Sequence, residues 1–580
     1  MKVDVSMRLE MALFHLNALY HEMAQNAIPP VQIAPPTQWT GFFPQLIPCV
    51  DKRFAGMIYY SHIRRSWNGH CSLNMKQNMA TEEMKMLPKT HVTFKTENEE
   101  LQRLYDTAVR KCLNNLNTFA GDQVLVEGGG YEKIWLETQP MGGEMYAKHN
   151  MTAALNNHLL FMRHQRQDGR LAGSIQGFPD GTVEAQFNKF QGFCFPWSAL
   201  NMYYWMGEDR AYLDQLANCL ERFDAYLWSV RDSNGDGLLE SWCKYDTGED
   251  NAVRYGDAPN YATEEVPPEG SDVVPMASMD VTSFSYACRD TLSEIALIRG
   301  NMDDAKKWRK AADEVANVIG EKLWDDKRGA LFDKDRHGNV IDVLCHNTLR
   351  CMYWGSVSPY MADRFVKEHL LNPDEFWTPC PLPSVAVNDP AFRNAVENNW
   401  SGQCEGLTYQ RAILALENYG YDPIVTRLGQ KLIDAVEKSG CRFTQQYDPF
   451  TGRPSLVHAE THQPVVPGSS EPVQDAYGPT MLACLEYIAH RFGIHPHLGK
   501  VWFSLGSGEP YEYSTVFYGH EYAIRSSGKR AEIIVDGKAA GAWDCGIRVV
   551  TGETGSLVRI LPIEDSRQSA GSPDQREPVC

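Results

Sequence analysis

Within Gly248-Glu249-Asp250-Asn251-Ala252-Val253-Arg254-Tyr255, a carboxylate, an amide and a guanidinium fall within five residues, with aromatics close by. Such a set can hold a polyhydroxylated ligand and protonate it, with Asp250 as the donor and Asn251 and Arg254 on the hydroxyls. The plain alternative is a solvated acidic loop. Just upstream, Asp232-Ser233-Asn234-Gly235-Asp236-Gly237 reads as a tight Asx/Gly turn. Asp232, Asn234 and Asp236 also match the first half of a calcium loop, which keeps Ca2+ as a secondary candidate there. The twelfth position, which needs a bidentate Glu, is Cys243, so the segment is not an EF-hand and a structural turn is preferred. No other cofactor and no other metal is expected.

Hydrolysis with inversion needs a second carboxylate about 6.5–9.5 Å from the donor, leaving room for the attacking water. Glu405, near the start of the helix opened by Trp400-Ser401-Gly402, is the first candidate. Backbone N–H groups at a helix start would keep it charged. Glu471, on the long stretch before the last helix, is the second; Glu144 and Glu137 come third. The bland alternatives are an acid favoured by the helix dipole and a cap-region acid. Aromatic faces for a sugar are expected from Trp135, Tyr146, Trp197, Trp242, Trp400 and Tyr447, with core packing as the competing role of each. Lys148, Asp280 and Gln445 complete the expected polar contacts. His149, His158 and His164 read as satisfied structural histidines.

These side chains need a scaffold, and the middle of the chain repeats one device. An apolar, aromatic helix ends at Gly, a few turn residues follow, and a more polar amphipathic helix begins. It occurs at Tyr203-Tyr204-Trp205-Met206-Gly207, Ala296-Leu297-Ile298-Arg299-Gly300, Met352-Tyr353-Trp354-Gly355 and Glu417-Asn418-Tyr419-Gly420. Gly in these places fits the left-handed position after a helix. The following helices keep a period of 3.6, as in Leu213, Leu216, Leu220, Phe223 and Leu227. About eleven helices are expected between 98 and 493. Hairpins of matching design predict a mainly α fold, an (α/α)6 barrel over 96–494 whose more apolar helices form the inner ring. An open solenoid is disfavoured by the uneven spacing. The long loops 166–190, 232–276 and 441–472 are expected to gather at one face and carry function. Residues 1–95 read as mixed strand and loop. Residues 495–564 show period-2 stretches, a small antiparallel β module, and 565–580 a disordered tail.

Composition removes several classes. The chain has 580 residues, enough for two or three domains, and 43% hydrophobic content with 11% aromatic suits a globular protein. A net charge of −19 argues against nucleic acid or anionic membrane as partner. Charges interrupt the apolar residues of 1–23, and no long apolar run follows, so neither a signal peptide nor a membrane span is expected. Fifteen scattered cysteines without a C-x-x-C pair fit free thiols in a reducing cytoplasm. The oligomeric state is not readable.

Several segments resemble the six-hairpin glycoside hydrolases related to mannosylglycerate hydrolase, processing α-glucosidase and trehalase. Gly248 to Arg254 is similar to their "Trp-Asp-Asn-Ser-Pro-Arg" signature, with Asp250 on the aspartate that is the family's general acid. Gln165-x-x-Asp168-Gly169, Ser278-Met279-Asp280-Val281-Thr282 and Leu323-Trp324-Asp325 with Leu331-Phe332-Asp333 resemble further elements in the family's order. So do Asn399-Trp400-Ser401-Gly402 and Phe443-Thr444-Gln445-Gln446-Tyr447-Asp448-Pro449. Two departures stand out. Met145-Tyr146-Ala147-Lys148-His149-Asn150 replaces an aromatic-Trp-Asp element, and Gln445 stands where the family carries its general base. A neutral amide cannot take a proton from water.

The resemblance implies an (α/α)6-barrel glycosidase acting on a small oligosaccharide or glycoside, with Asp250 as acid and Glu405, or failing it Glu471, as base. Three rivals remain open at the level of sequence: a glycoside phosphorylase, where phosphate would replace the base; a sugar isomerase, epimerase or lyase on the same barrel; and a non-catalytic carbohydrate-binding relative.

Overall fold

The computed structural model describes residues 87–466 and 468–565. Most of the expected N-terminal segment, 1–86, and the expected tail, 566–580, lie outside the described residues. Twelve α-helices lie among the described residues. They are α1 (Glu99–Cys112), α2 (Gln139–Tyr146), α3 (Met151–Arg163), α4 (Pro196–Trp205), α5 (Arg210–Val230) and α6 (Met279–Ile298). There follow α7 (Met302–Lys322), α8 (Asn347–Trp354), α9 (Pro359–Phe365), α10 (Gly406–Glu417), α11 (Asp422–Lys438) and α12 (Gly478–Phe492).

The even-numbered helices are buried on nearly every face and the odd-numbered ones mostly on a single stripe, with α3, ten of whose 13 residues are buried, as the exception. α6 buries 16 of its 20 residues, whereas its hairpin partner α7 buries four of 21. Burial on all sides forces α6 into an inner layer and leaves α7 to cover it. The same division pairs α2 with α3, α4 with α5, α8 with α9 and α10 with α11, and α12 packs on α1. Among the inner helices, α2 packs on α4, α4 on α6, α6 on α8, α8 on α10 and α10 on α12, and α12 packs back on α2. The hairpin glycines Gly207, Gly300, Gly355 and Gly420 take φ between 69° and 83°, the left-handed conformation expected of them. No helix among the described residues is long and apolar enough to cross a membrane.

The C-terminal strands form two antiparallel sheets. One orders Ile494–His497, Lys500–Leu505, Ile547–Thr551 and Leu557–Pro562. The other orders His91–Thr96, Tyr511–Phe517, His520–Ser526, Arg530–Val535 and Lys538–Asp544. The strand His91–Thr96, part of the segment expected to stand apart at the N-terminus, is thus an edge of the C-terminal sheet. Phe94 explains the pairing: its ring sits 5.3–6.4 Å from those of Tyr105, Phe492, Tyr511 and Tyr513.

Arg548 ties the sheet to the helices. Its Nη1 donates to Glu417 Oε1 (2.6 Å) and Asp422 Oδ1 (2.7 Å), its Nη2 to the His490 carbonyl (3.1 Å) and its Nε to Ser504 Oγ (3.0 Å). Burial opposes charge on Glu417, yet Arg548 and then His490 hold its carboxyl down at about 2. Arg548→Ala leaves two buried carboxylates without their cation and should cost about 3–5 kcal/mol. Urea unfolding at neutral pH reads this, and a loss under about 1 kcal/mol would show the cluster to be dispensable. Because the folded pKa of Glu417 is depressed, its contribution is present above the unfolded value near 4.5 and is lost as pH falls towards 2. The gap between wild type and variant should therefore narrow over that acid range.

Candidate active site

The N-terminal ends of the six inner helices each bring polar groups to the same region: Glu137 before α2, Gln191 before α4, Asp280 on α6, His346 and Asn347 at α8, Glu405 before α10 and Tyr477 before α12. Six helix N-termini present partial positive charge, an environment that tolerates carboxylates. Close approach of α10 and α12 depends on Gly406: a Cβ there would lie 1.9 Å from Thr480 Oγ1. Glu405 closes a two-residue strand, Cys404–Glu405, paired antiparallel with Gln446–Tyr447, and Gly406 N donates to the Gln445 carbonyl (2.8 Å).

Asp250 is anchored by its neighbour. Glu249 accepts from Arg254 Nη2 (2.5 Å) and Asn347 Nδ2 (2.9 Å), contacts His346 Nε2 (2.9 Å) and lies 3.2 Å from Arg350 Nη1. Burial opposes its charge, but Arg350 and Arg254 hold the carboxyl well below the usual carboxylate range. With Glu249 pinned, Asp250 turns out of the network, keeps part of its surface open to solvent and accepts from Gln191 Nε2 (3.1 Å). Enclosure by protein raises it to about 6, against the Gln191 hydrogen bond and the charge of Lys189. On the other side of the same loop, Asn251 Oδ1 accepts from Trp400 N (3.0 Å) and its Nδ2 donates to Asn399 Oδ1 (2.8 Å), fastening the 250s to 397–401.

Three further carboxyls share this environment. Glu405 is fully covered, and beyond the Asn399 side chain its oxygens meet no hydrogen-bond donor among the described residues. Burial raises it well above 4.5, the charges of Glu137, Asp250 and Glu127 add to this, and the Asn399 side chain works in the opposite direction. No capping bond from the Glu405 side chain stands behind the expectation that helix N–H groups keep it charged, and burial works against that charge. Glu127 accepts from Tyr477 Oη (2.9 Å) and is raised by burial, then by Glu137. Glu137 accepts from Arg411 Nη2 (2.7 Å) and is raised by burial to about 7.

Gln445 lies in the same wall. Its Oε1 accepts from Tyr131 Oη (3.0 Å), and Tyr131 stacks on His462 with ring centroids 4.0 Å apart. Trp135 is flanked by Lys133 and Lys189, each 5.3 Å from its ring, and its buried Nε1 has no partner among the described residues. An aromatic face, two lysines, an amide and four carboxyls that feel one another's charge, gathered in one region, can bind hydroxyls and move protons.

The remaining expectations divide. Arg254 and Asp280 do not face a ligand: Arg254 spans Glu249, Asp280 (3.1 Å) and Asp333, and Asp280 also pairs with Arg350 (2.7 Å). Their charges are consumed inside the network that positions Asp250. Tyr146, Trp242 and Tyr447 belong to the buried interior. Tyr146 stacks on His149 (5.2 Å), Trp242 donates to Glu240 (2.8 Å) beneath Arg231, and Tyr447 donates to the Arg442 carbonyl (3.1 Å). Trp400 is buried beside His346, edge to face at 6.1 Å. Lys148, paired with Glu486, lines a second cavity with Trp197 and Glu144, at the other end of the inner helices. Glu471 sits on an exposed loop against Ser469 (3.4 Å). The turn at Asp232, Asn234 and Asp236 closes on its own backbone amides, as a structural turn does. Glu127, Tyr131, Lys189 and Gln191 were not singled out by sequence; the triplet Gly128-Gly129-Gly130 beside Glu127 was the signal available.

The family model described as the mannosylglycerate hydrolase MGH1-like glycoside hydrolase domain matches residues 144–463. Among solved structures, a GH63 mannosylglycerate hydrolase from Thermus thermophilus, in complex with glucose, is 18% identical, with a TM-score of 0.50 over 67% of this chain and 100% of that chain. A sialidase is 14% identical, with a TM-score of 0.58 over 80% of this chain and 42% of that chain. An α-L-rhamnosidase from Dictyoglumus thermophilum is 12% identical, with a TM-score of 0.50 over 77% and 44%. At such identities the structural likeness is one of fold.

Proposed function

The chain belongs to the mannosylglycerate hydrolase MGH1-like glycoside hydrolase family, and from that premise we propose an inverting glycosidase acting on a small glycoside or oligosaccharide. The observation that carries the reading is the meeting of Asp250 with the buried Glu405 at the N-terminal ends of the inner helices. The cycle of contacts from α2 round to α12 and back supports an (α/α)6 barrel with this space as its mouth. We assign Asp250 as the proton donor to the leaving oxygen, a role suited to a carboxyl raised to about 6. Glu405 receives the proton of the attacking water. Beyond the Asn399 side chain, no protein donor among the described residues engages its oxygens, which leaves one available to that water. A covered base also works on water held with the substrate, not on bulk solvent. Trp135 offers the sugar a face, Lys189 and Gln191 reach hydroxyls beside Asp250, and Gln445 serves as a hydrogen-bonding group.

The direct test is a panel of nitrophenyl glycosides and natural disaccharides, with and without phosphate, and the product anomer read by NMR. Hydrolysis without phosphate, giving the inverted anomer first, supports the reading; cleavage only with phosphate makes the protein a phosphorylase. A pH profile adds a second check. Asp250 must hold its proton, so kcat/KM should fall as pH rises through about 6. An alkaline limb placed above pH 8 would point to another donor.

A further inference from the structure

With Asp250 as the proton donor, the leaving group extends on the Asp250 side of the site, and the side chains there decide which leaving groups fit. On the glycosidase reading given above, we propose that Tyr261, with Lys189 and Trp135, forms a subsite for a sugar ring in the leaving group. The substrate is then a disaccharide or a longer oligosaccharide, not the glycoside of a small open-chain alcohol or acid.

Tyr261 lies in the long loop 256–275, which holds it in place at both sides. Lys244 N donates to the Pro259 carbonyl and Ala262 N to the Asn188 carbonyl, both at 2.9 Å. Ala262 is buried against Trp242 and Cys243, so Trp242, itself enclosed, helps to fix the loop. Asp257 ties the base of the loop, accepting from Ser271 Oγ (2.7 Å) and Asp272 N (3.1 Å). Between these anchors the Tyr261 ring meets that of Tyr245 at 82°, centroids 4.9 Å apart, yet it stays 47% exposed. Ordering a large aromatic side chain at the surface costs conformational entropy that its partial burial does not offset in full. A sugar ring laid against it would cover the exposed part through its C–H face.

Lys189 joins Tyr261 to the candidate active site. Its Nζ lies 5.2 Å from the Tyr261 ring and 5.3 Å from the Trp135 ring, so one ammonium borders both aromatics. Lys189 is only 4% exposed, and its side-chain hydrogen bond to Asn188 Oδ1 is 3.5 Å long. An ammonium carries three N–H donors, which leaves Lys189 with donors for the hydroxyls of a ligand. Burial lowers Lys189 to about 8, with Lys133 adding to the shift and Asp250 opposing it, so the group is still largely protonated at neutral pH.

Charge sets the side of the site. After burial, Asp250 is the foremost influence on both Tyr245 and Tyr261, and it raises both hydroxyls. Glu405 acts instead on Tyr131 and Tyr477. In an inverting reaction the donor stands at the leaving oxygen and the base across the anomeric carbon. Tyr245 and Tyr261 therefore flank the leaving group. An aromatic face beside an ammonium suits a ring that offers both C–H bonds and hydroxyls, whereas a three-carbon leaving group has no ring face to lay there.

The test uses the full-length protein and the glycosyl unit that the nitrophenyl panel selects, carried on two leaving groups: glucose, as a disaccharide, and glycerol. Tyr261→Ala is expected to lower kcat/KM on the disaccharide about 10-fold, mostly through KM, the scale of one lost aromatic contact. On the glycerol glycoside the loss should be less than about twofold, since that leaving group does not use the ring. Tyr261→Phe keeps the ring and should restore the disaccharide to within about twofold of wild type. Equal losses on both substrates, or no loss on either, overturn the subsite and leave the glycosidase reading standing. A wild type that prefers the glycosides of glycerol or glyceric acid to the disaccharide does the same. Hydrolysis of neither kind of substrate overturns both.

Discussion

Asp250→Asn is expected to keep its fold and to lose turnover by about a hundredfold or more on substrates with poor leaving groups. The amide is isosteric and retains an oxygen for the Gln191 Nε2–H, the one hydrogen bond that Asp250 accepts from a described side chain. Stability should not suffer. A carboxyl whose folded pKa is raised from 3.8 to about 6 destabilises the fold once pH climbs through that window, because the charge is less welcome inside than outside. The variant should therefore melt at or above the wild-type temperature at pH 8. Activity loss with unchanged or higher stability separates a chemical role from a structural one. The leaving group supplies the second arm. A nitrophenolate departs without protonation, so its glycosides should be much less impaired than a disaccharide. Equal impairment of both would take proton donation away from Asp250, and full activity on a disaccharide would remove it from the mechanism.

How much of this could be read beforehand follows from which interactions are local. The hairpin glycines, the apolar inner helices and the period-2 strands are short-range signals, and Gly207 or Gly355 declares its φ from the residues before it. Asp250 was legible because its neighbours in sequence are its neighbours in space: Glu249 and Arg254 form a salt bridge five residues apart. That same pair also misled. Residue type announces a charge but not its partner, and Arg254 with Asp280 proved to neutralise one another and Asp333 instead of meeting a ligand. Tyr146, Trp242 and Tyr447 failed for a related reason: an aromatic near a motif looks the same whether its face is packed or open. Glu127 and Glu137 were beyond or at the edge of reach, since their partners Tyr477 and Arg411 are 350 and 274 residues away. The pairing of His91–Thr96 with Tyr511–Phe517 is equally non-local.

Glu405→Ala should nearly abolish hydrolysis, and the loss should be of a kind that Asp250→Asn does not show. Four carboxyls surround the site, so removing one does not by itself reveal a role; rescue does. A small anion such as azide can occupy the space left by a missing base and attack the anomeric carbon directly. With Glu405→Ala, added azide should restore part of the rate and yield a glycosyl azide of inverted configuration. Nitrophenyl substrates should not spare this variant, since a good leaving group does nothing for an unactivated water. Glu127 is the informative comparison, because it lies in the same electrostatic environment but has one oxygen already engaged by Tyr477. If Glu127→Ala is the variant that azide rescues while Glu405→Ala remains active, the base is Glu127, and the free oxygen of Glu405 needs another explanation. Glu471, exposed on its loop, should tolerate alanine with little change. The stability of Glu405→Gln completes the argument. Burial and three neighbouring carboxyls oppose the charge of Glu405, so its raised pKa means that stability declines as pH rises above the unfolded value near 4.5. Removing the ionisable group should then stabilise the protein at neutral pH while eliminating turnover. Such an outcome is expected of a carboxyl kept against the interest of the fold for the sake of the reaction.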